Sequence, residues 1–450
     1  ELNRRNTGIR KLHGQNFLLQ REDDRISNIV AKGEDGTKVS LIYFEIDRTS
    51  DPSQGGQLTA AVEEILSEVS TVVGDFPAMR EKLSDVQALV AADNHVDTAD
   101  RDENAAFLTW LASNHITLLG YECLGVQHTG DSVNVVDVEE SRLGLLSARR
   151  TRGVRELQGR LQELNSTEEP GTPQQLSFSK SRRRSRVHRF AYPDYIEINQ
   201  FDERGKIILQ HRFMGLYTSA VYTQSPSLIP IVRLKVAQLM SQSGLDESNH
   251  EGRELARVVE LFPRDELFHA DVEELFRMAS AVNQIQERRQ TRFFARSSAH
   301  GKFFSCMVYM PRDRYTTAKR IQIEEMLMEE LGAEESEFNT SFTESVLVRV
   351  HFVFLLKPRE QSNYSISELE TNIIHITQSW QDRLQDRLLD QYGEEQGGVL
   401  IERFGSGFSA GYRDDFDPRI AVMDMGRILR VVEGERLAMS FYRTLDESEQ

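Results

Sequence analysis

The chain has 450 residues, 39% hydrophobic and 28% charged, with a formal net charge of −17. That length predicts about three domains of an ordinary soluble protein, and no apolar run reaches the roughly 18 residues a membrane span needs. The acidic balance argues against nucleic acid or an acidic membrane as a general partner, because phosphates would be repelled. The first residue is Glu1 rather than Met, which suggests a piece of a longer chain, and no basic-then-apolar signal segment opens it. Residues 1–46 read as strands broken by charged turns. A helix follows, with Leu58, Val62, Ile65, Leu66, Val69, Val72 and Val73 on one face. Gly74 and Pro77 interrupt the pattern and predict a second helix through Val90.

The acidic stretch 91–104 reads as a linker, with Asp102 as the cap of the helix ENAAFLTWLASNH. Strands come next at ITLLGYECLGV and SVNVVDV, then a helical stretch near 153–164 and the loop NSTEEPGTPQQ. The following segment alternates enough for two or three antiparallel strands, with Asp202-Glu-Arg-Gly205 as a hairpin turn. Pro226 and Pro230 punctuate the start of the helix IVRLKVAQLM. Residues 251–290 are helical with a break at Pro263, and FPRDELF reads as a helix–helix turn. TRFFARSS and KFFSCMVYM are then strands, PRDRY is a charged loop, and TTAKRIQIEEMLMEELG is a helix closed by Gly332. A long strand, ESVLVRVHFVFLL, and one long helix, SISELETNIIHITQSWQDRLQDRLLDQY, complete the pattern. Strand, charged loop and helix thus occur in the same order at 39–73 and 303–332. The expected fold class is α+β and multi-domain, with small antiparallel sheets carrying helices on one face.

Within residues 397–418, Gly405-Ser-Gly407-Phe-Ser-Ala410 fits the dinucleotide pattern G-x-G-x-x-A, and Gly407-Phe-Ser409-Ala-Gly411 fits the nucleophile elbow G-x-S-x-G. The first needs a helix facing a pyrophosphate, yet YRDDFDP follows, with three aspartates that would repel one. The second needs a histidine further along, and none follows Ser409. A Gly/Ser-rich, hinge-like loop between helices accounts for both matches. The basic run Lys180 to Arg189, with Tyr192, Tyr195 and Phe201 behind it, could meet phosphates and stack bases, but a solvated loop suits an acidic chain better. Cys123 and Cys306 lie in apolar runs, which predicts buried thiols in a reducing cytoplasm. The histidines show no metal-ligand spacing, and His115, His211 and His351 read as structural. No catalytic, cofactor-binding or metal residue is assigned. The expected effector site is Arg312, Asp313, Arg314 and Tyr315, ahead of a helix that Thr316 or Thr317 would cap. Backbone N–H groups beside an arginine suit the carboxylate of an amino acid; arginine–aspartate pairing across the loop is the structural alternative.

VVELFPRDELF, followed by RFFARSSAHGKFFSCMVYMPRDRYTTAKRIQIEEMLMEELG, resembles the N-terminal half of the very long bacterial NAD-specific glutamate dehydrogenases. TVVGDFPAMREKL, AAFLTWLASNHITLLGYE, SRVHRFAYPDYIEINQFDERGKIILQHRFMGLYTSAVY and YRDDFDPRIAVMDM agree in order, so the resemblance spans nearly the whole chain. It implies an ACT-like module at 1–92, a PAS-like α+β region at 93–245 and a helical connector at 246–290. A second ACT-like module would fill 291–360, a further helical connector 361–436, and a third ACT-like module would begin at 437–450. In that family the NAD- and glutamate-binding domains lie further along, so no cofactor is expected in this segment and no catalytic residue is carried over. The resemblance implies a cytoplasmic, homo-oligomeric enzyme that turns glutamate, NAD and water into 2-oxoglutarate, ammonia and NADH. This segment would regulate and assemble it, acting on the catalytic domain of the same chain. A stand-alone ACT-type amino-acid sensor or scaffold is the alternative.

Overall fold

A computed structural model describes residues 7–22, 25–30, 36–47, 52–129, 132–138, 141–147, 174–246, 248–285, 288–298, 302–343, 345–357 and 364–439. The helix expected near 153–164, and most of the module expected at 437–450, lie outside the described residues. The chain divides into two compact units, Glu1–Ala237 with Leu267–His269, and Gln238–Glu266 with Ala270–Gln450.

The first unit opens with an antiparallel sheet of β1 (Ile9–Glu22), β2 (Arg25–Val30) and β3 (Thr37–Ile46), in the order β2-β1-β3. Leu12, Ile29, Leu41 and Tyr43 on it are all more than half exposed. The helix Pro52–Ala92 then runs without the break expected at Gly74 and Pro77. Met79, Leu83, Val86 and Val90 fall on one stripe and bury almost completely, which holds the second half of the helix in place. Asp75 adds an anchor by accepting the N–H of Gly144 at 2.7 Å. Pro77 removes one donor, opposite the carbonyl of Val73, whose side chain is exposed, so water can serve that carbonyl.

Asp97, not Asp102, caps the next helix, Thr98–Trp110, accepting the N–H of Ala99 at 3.1 Å. The helix ends in the turn Leu111–His115, where the His115 ring stacks on Trp110 at 4.2 Å. A six-stranded antiparallel sheet follows: β4 (Ile116–Thr129), β5 (Ser132–Asp137), β6 (Leu143–Gly144), β7 (Leu176–Lys180), β8 (Asp194–Phe201) and β9 (Ile207–Tyr217). Its order is β5-β4-β9-β8-β7, with β6 paired to β4. The β8–β9 turn is the expected one: Asp202 accepts the N–H groups of Arg204 and Lys206, each at 2.9 Å, and Gly205 supplies φ +75°.

In the second unit, β10 (Arg292–Ser297), β11 (Phe303–Pro311), β12 (Ala333–Phe342) and β13 (Leu347–Leu356) form an antiparallel sheet in the order β10-β11-β13-β12. Strand alternation sorts β13 cleanly. Val348, Val350, Phe352 and Phe354 face the helices Thr317–Leu331 and Ile366–Thr377, packing with Ile323, Leu327, Leu369 and Ile373. Arg349 and His351 stand on the other face. Thr316 caps the Thr317–Leu331 helix, and Gly332, at φ +60°, closes it as expected. Cys306 lies in this core and Cys123 in the first unit, both as buried free thiols whose pKa burial pushes up.

The long helix expected from 365 to 392 is two. Ile366–Thr377 and Trp380–Phe404 meet at Ser379, which forms a reciprocal capping box with Asp382. The second helix folds back at Gly393, at φ +76°. Gly397 allows the close return, because a Cβ there would sit 2.8 Å from the Leu388 carbonyl oxygen. The helices Ala410–Asp415 and Pro418–Val432 follow, capped by Ser409 and Asp417. Leu384, Leu388, Leu400, Val422 and Met425 form their shared core.

Candidate functional site

The two sequence patterns at 397–418 take neither enzymatic geometry. Val399-Leu-Ile401 is helical rather than extended, Gly405 ends that helix, and Ser409 is an N-cap that accepts the N–H of Tyr412 at 3.3 Å. Asp424, at a distance that would suit a ribose contact, instead accepts the Tyr412 hydroxyl proton at 2.6 Å and pairs with Arg427 at 2.7 Å. In the first unit, part of the basic run is spent internally. Lys180 pairs with Asp194 at 2.9 Å, and Arg186 with Glu64 and Glu68 at 2.9 and 2.6 Å. Arg184 lies over the rings of Phe190 and Tyr192. Tyr192, Tyr195 and Phe201 are buried, so they offer no stacking platform to a base.

The β7–β8–β9–β4 sheet carries one buried ionic row, Ser177, Glu197, Arg212 and Glu122 as successive cross-strand neighbours. Arg212 donates to Glu122 at 2.6 Å and to Glu197 at 3.3 Å, and Ser177 donates to Glu197 at 3.2 Å. Every charge there is paired, which suits a structural lock. Among the described residues, no cluster of His, Cys, Asp or Glu is arranged to hold a metal ion. No helix among them is long and apolar enough to cross a membrane.

The expected effector turn, Arg312–Arg314, is a single 3-10 turn between β11 and its helix. Arg314 pairs with Asp382 at 3.0 Å, and Asp313 with Arg289 at 3.3 Å. Arg312 lies over the Phe342 ring at 5.5 Å, and the Tyr315 hydroxyl meets Thr340 Oγ1 at 3.4 Å. The four residues thus have intrachain contacts, and the arginine–aspartate pairs reach other elements rather than closing across the loop. Beside them, burial lowers the pKa of Lys319, with Arg314 and Arg383 adding to the effect. Its ammonium donates to the carbonyls of Thr377 and Gln378.

The opposite face of the β10–β13 sheet holds two charged centres that sequence reasoning did not assign. Glu266, in the stretch read as a plain helix–helix turn, is buried and receives Arg296 at 3.1 and 3.3 Å and Ser305 at 2.6 Å. His351 Nε2 lies 2.8 Å from Ser305 Oγ and 3.4 Å from the carboxylate. Burial alone would raise the pKa of Glu266, but the His351 hydrogen bond and the Arg296 charge prevail and hold it well below the usual carboxylate range. The second centre is Arg349, between its cross-strand neighbours Tyr309 and Ser341. It donates to the Leu261 carbonyl and to the Tyr309 hydroxyl, whose pKa burial raises. The signal was present in LVRVHFVFLL: Arg349 and His351, two residues apart in an apolar strand, must share a face.

An antiparallel sheet with two helices on one face, set among helical segments, defines a small α+β domain. Residues 292–381 match the ACT2 domain of glutamate dehydrogenase, 229–288 its helical motif 1 and 387–431 its helical motif 2. Over nearly its whole length the chain is similar to part of the NAD-specific glutamate dehydrogenases. It is 39% identical to that enzyme of Pseudomonas aeruginosa over 100% of this chain, and 36% identical to that of Halomonas elongata over 99%. It spans only 28% of the length of either relative. The Mycobacterium tuberculosis enzyme is 27% identical over 82% of this chain, which spans 22% of that enzyme's length.

Proposed function

We propose that this chain is the regulatory and assembly segment of an NAD-specific glutamate dehydrogenase and performs none of the chemistry itself. The ACT2 match at 292–381 carries this reading. Supporting it, the described strand pairs are all antiparallel, so they form no βαβ unit that would present a helix N-terminus to a dinucleotide. The complete cytoplasmic enzyme would bind NAD and oxidatively deaminate glutamate to 2-oxoglutarate and ammonia, with its catalytic groups elsewhere in the longer chain. Residues 93–245 would be the PAS-like region, with the β4–β9 antiparallel sheet as its centre. The exposed apolar residues of β1–β3 support a role in homo-oligomer assembly.

An amino-acid effector is part of this proposal, with Arg312, Asp313, Arg314 and Tyr315 as its contacts. The Arg314–Asp382 pair would pass occupancy on to the Trp380–Phe404 helix. The test is NADH formation by the full-length enzyme across a panel of amino acids, compared with Arg314→Gln. A response lost in the variant supports the effector site. Silence across the panel would leave assembly as the segment's role.

A further inference from the structure

Between helix His250–Glu260, helix Val272–Ile285 and the second face of the β10–β13 sheet lies a cavity of about 360 Å³. That is at the small end of ligand cavities. Its wall is divided in two. Arg349, Tyr309 and Ser341 form one polar row across three strands, with Arg257 joining them from the helix. Val258, Leu261 and Val282 make the other side apolar.

Arg349 is the informative member. Its Nε is buried without a hydrogen-bond partner, and its described contacts are a carbonyl and a phenol, with no carboxylate among them. A partly buried guanidinium left without an anion is costly, and on a chain with 71 acidic residues a carboxylate partner was easy to supply. Nearby, burial lowers the pKa of Arg264; Glu260 opposes that shift and the charge of Arg349 adds to it. Glu266, on the same face, is already committed to Arg296, Ser305 and His351.

We infer that this cavity binds a carboxylate carried on a short branched aliphatic chain, with the carboxylate on Arg349 and the chain against Val258, Leu261 and Val282. An inorganic phosphate would meet Arg349 equally well but would leave the apolar wall unfilled. Two sources share the required chemistry, a branched-chain amino acid and its 2-oxo acid. The inference deepens the regulatory reading and rests on it for its consequence, since occupancy would tie the sheet to the helices that cover this face.

Calorimetric titration of this chain with 4-methylpentanoate tests it, with 3-methylbutylamine as the control lacking a carboxylate. The acid should bind and the amine should not. Leucine and 4-methyl-2-oxopentanoate, run beside it, identify the source by whichever binds tighter. Arg349→Gln should weaken binding by roughly 30-fold through loss of a charge-assisted pair, and Val282→Phe by roughly tenfold through filling of the apolar side. Should Arg349→Gln lose the wild-type melting transition, Val282→Phe decides alone. Absence of binding by all three acids, equal binding of the amine, or wild-type affinity in the variants would overturn the inference. Glutamate-dependent NADH formation by this chain would instead refute the regulatory reading and leave the titration standing.

Discussion

Acidification should loosen the first unit through one residue, His211. Its Nδ1 lies 2.9 Å from the Tyr121 hydroxyl and its Nε2 3.4 Å from Gln200 Oε1, an arrangement that suits a neutral ring donating from Nε2. Burial first, then the charge of Lys82, lowers its pKa from 6.5 to about 4. The unfolded chain therefore binds this proton at a pH where the folded chain does not. The stabilisation is fully present above pH 6.5 and is lost as pH falls towards 4. At pH 5 the linkage amounts to about 2 kcal/mol relative to pH 7.5, rising to about 3 kcal/mol below pH 4. The two tryptophans allow the unit to be followed separately, because Trp110 lies in the first unit and Trp380 in the second. In a Trp380→Phe background, urea unfolding monitored by Trp110 fluorescence at the two pH values gives the difference directly. His211→Gln, which keeps a donor and an acceptor but cannot titrate, should remove most of it. An equal acid sensitivity in the presence and absence of His211 would refute the argument.

In the second unit, Glu266→Gln leaves the part-buried Arg296 beside a buried neutral amide and should cost about 3 kcal/mol, read from the Trp380 transition in a Trp110→Phe background. Because the folded pKa of Glu266 is depressed, its contribution should be complete above the ordinary carboxylate pKa and fade as pH falls below it. The variant should lack that acid dependence. Gly332→Ala forces a side chain into a left-handed cap at φ +60° and should lower the same transition by about 1 kcal/mol, with no change if the cap can relax.

What the sequence made legible was local and periodic. The β8–β9 turn, the Thr316 and Gly332 ends of one helix and the apolar faces of β11 and β13 all follow from short-range rules that the fold leaves untouched. The misreadings share a cause, which is tertiary packing overriding a local preference. Pro77 is tolerated because the stripe from Met79 to Val90 is buried. The long helix divides because the capping box at Ser379 outweighs an unbroken apolar rhythm. β12, AEESEFNTSF, was not anticipated because an edge strand needs few apolar residues; its Phe338 and Phe342 remain about half exposed. The charged groups were the hardest to place. Nothing in a sequence with 71 acidic residues singles out Glu266, whose importance comes from Arg296, Ser305 and His351 converging on it from three strands. Arg349 was within reach, since an arginine two residues from a histidine in an apolar strand marks a face that something polar must meet.

The central claim is that this chain regulates and assembles but does not catalyse. The direct test is absorbance at the NADH band after mixing the purified 450-residue chain with L-glutamate and NAD. No glutamate-dependent NADH should form at any concentration of the chain. Turnover that scales with the amount of chain would contradict the account.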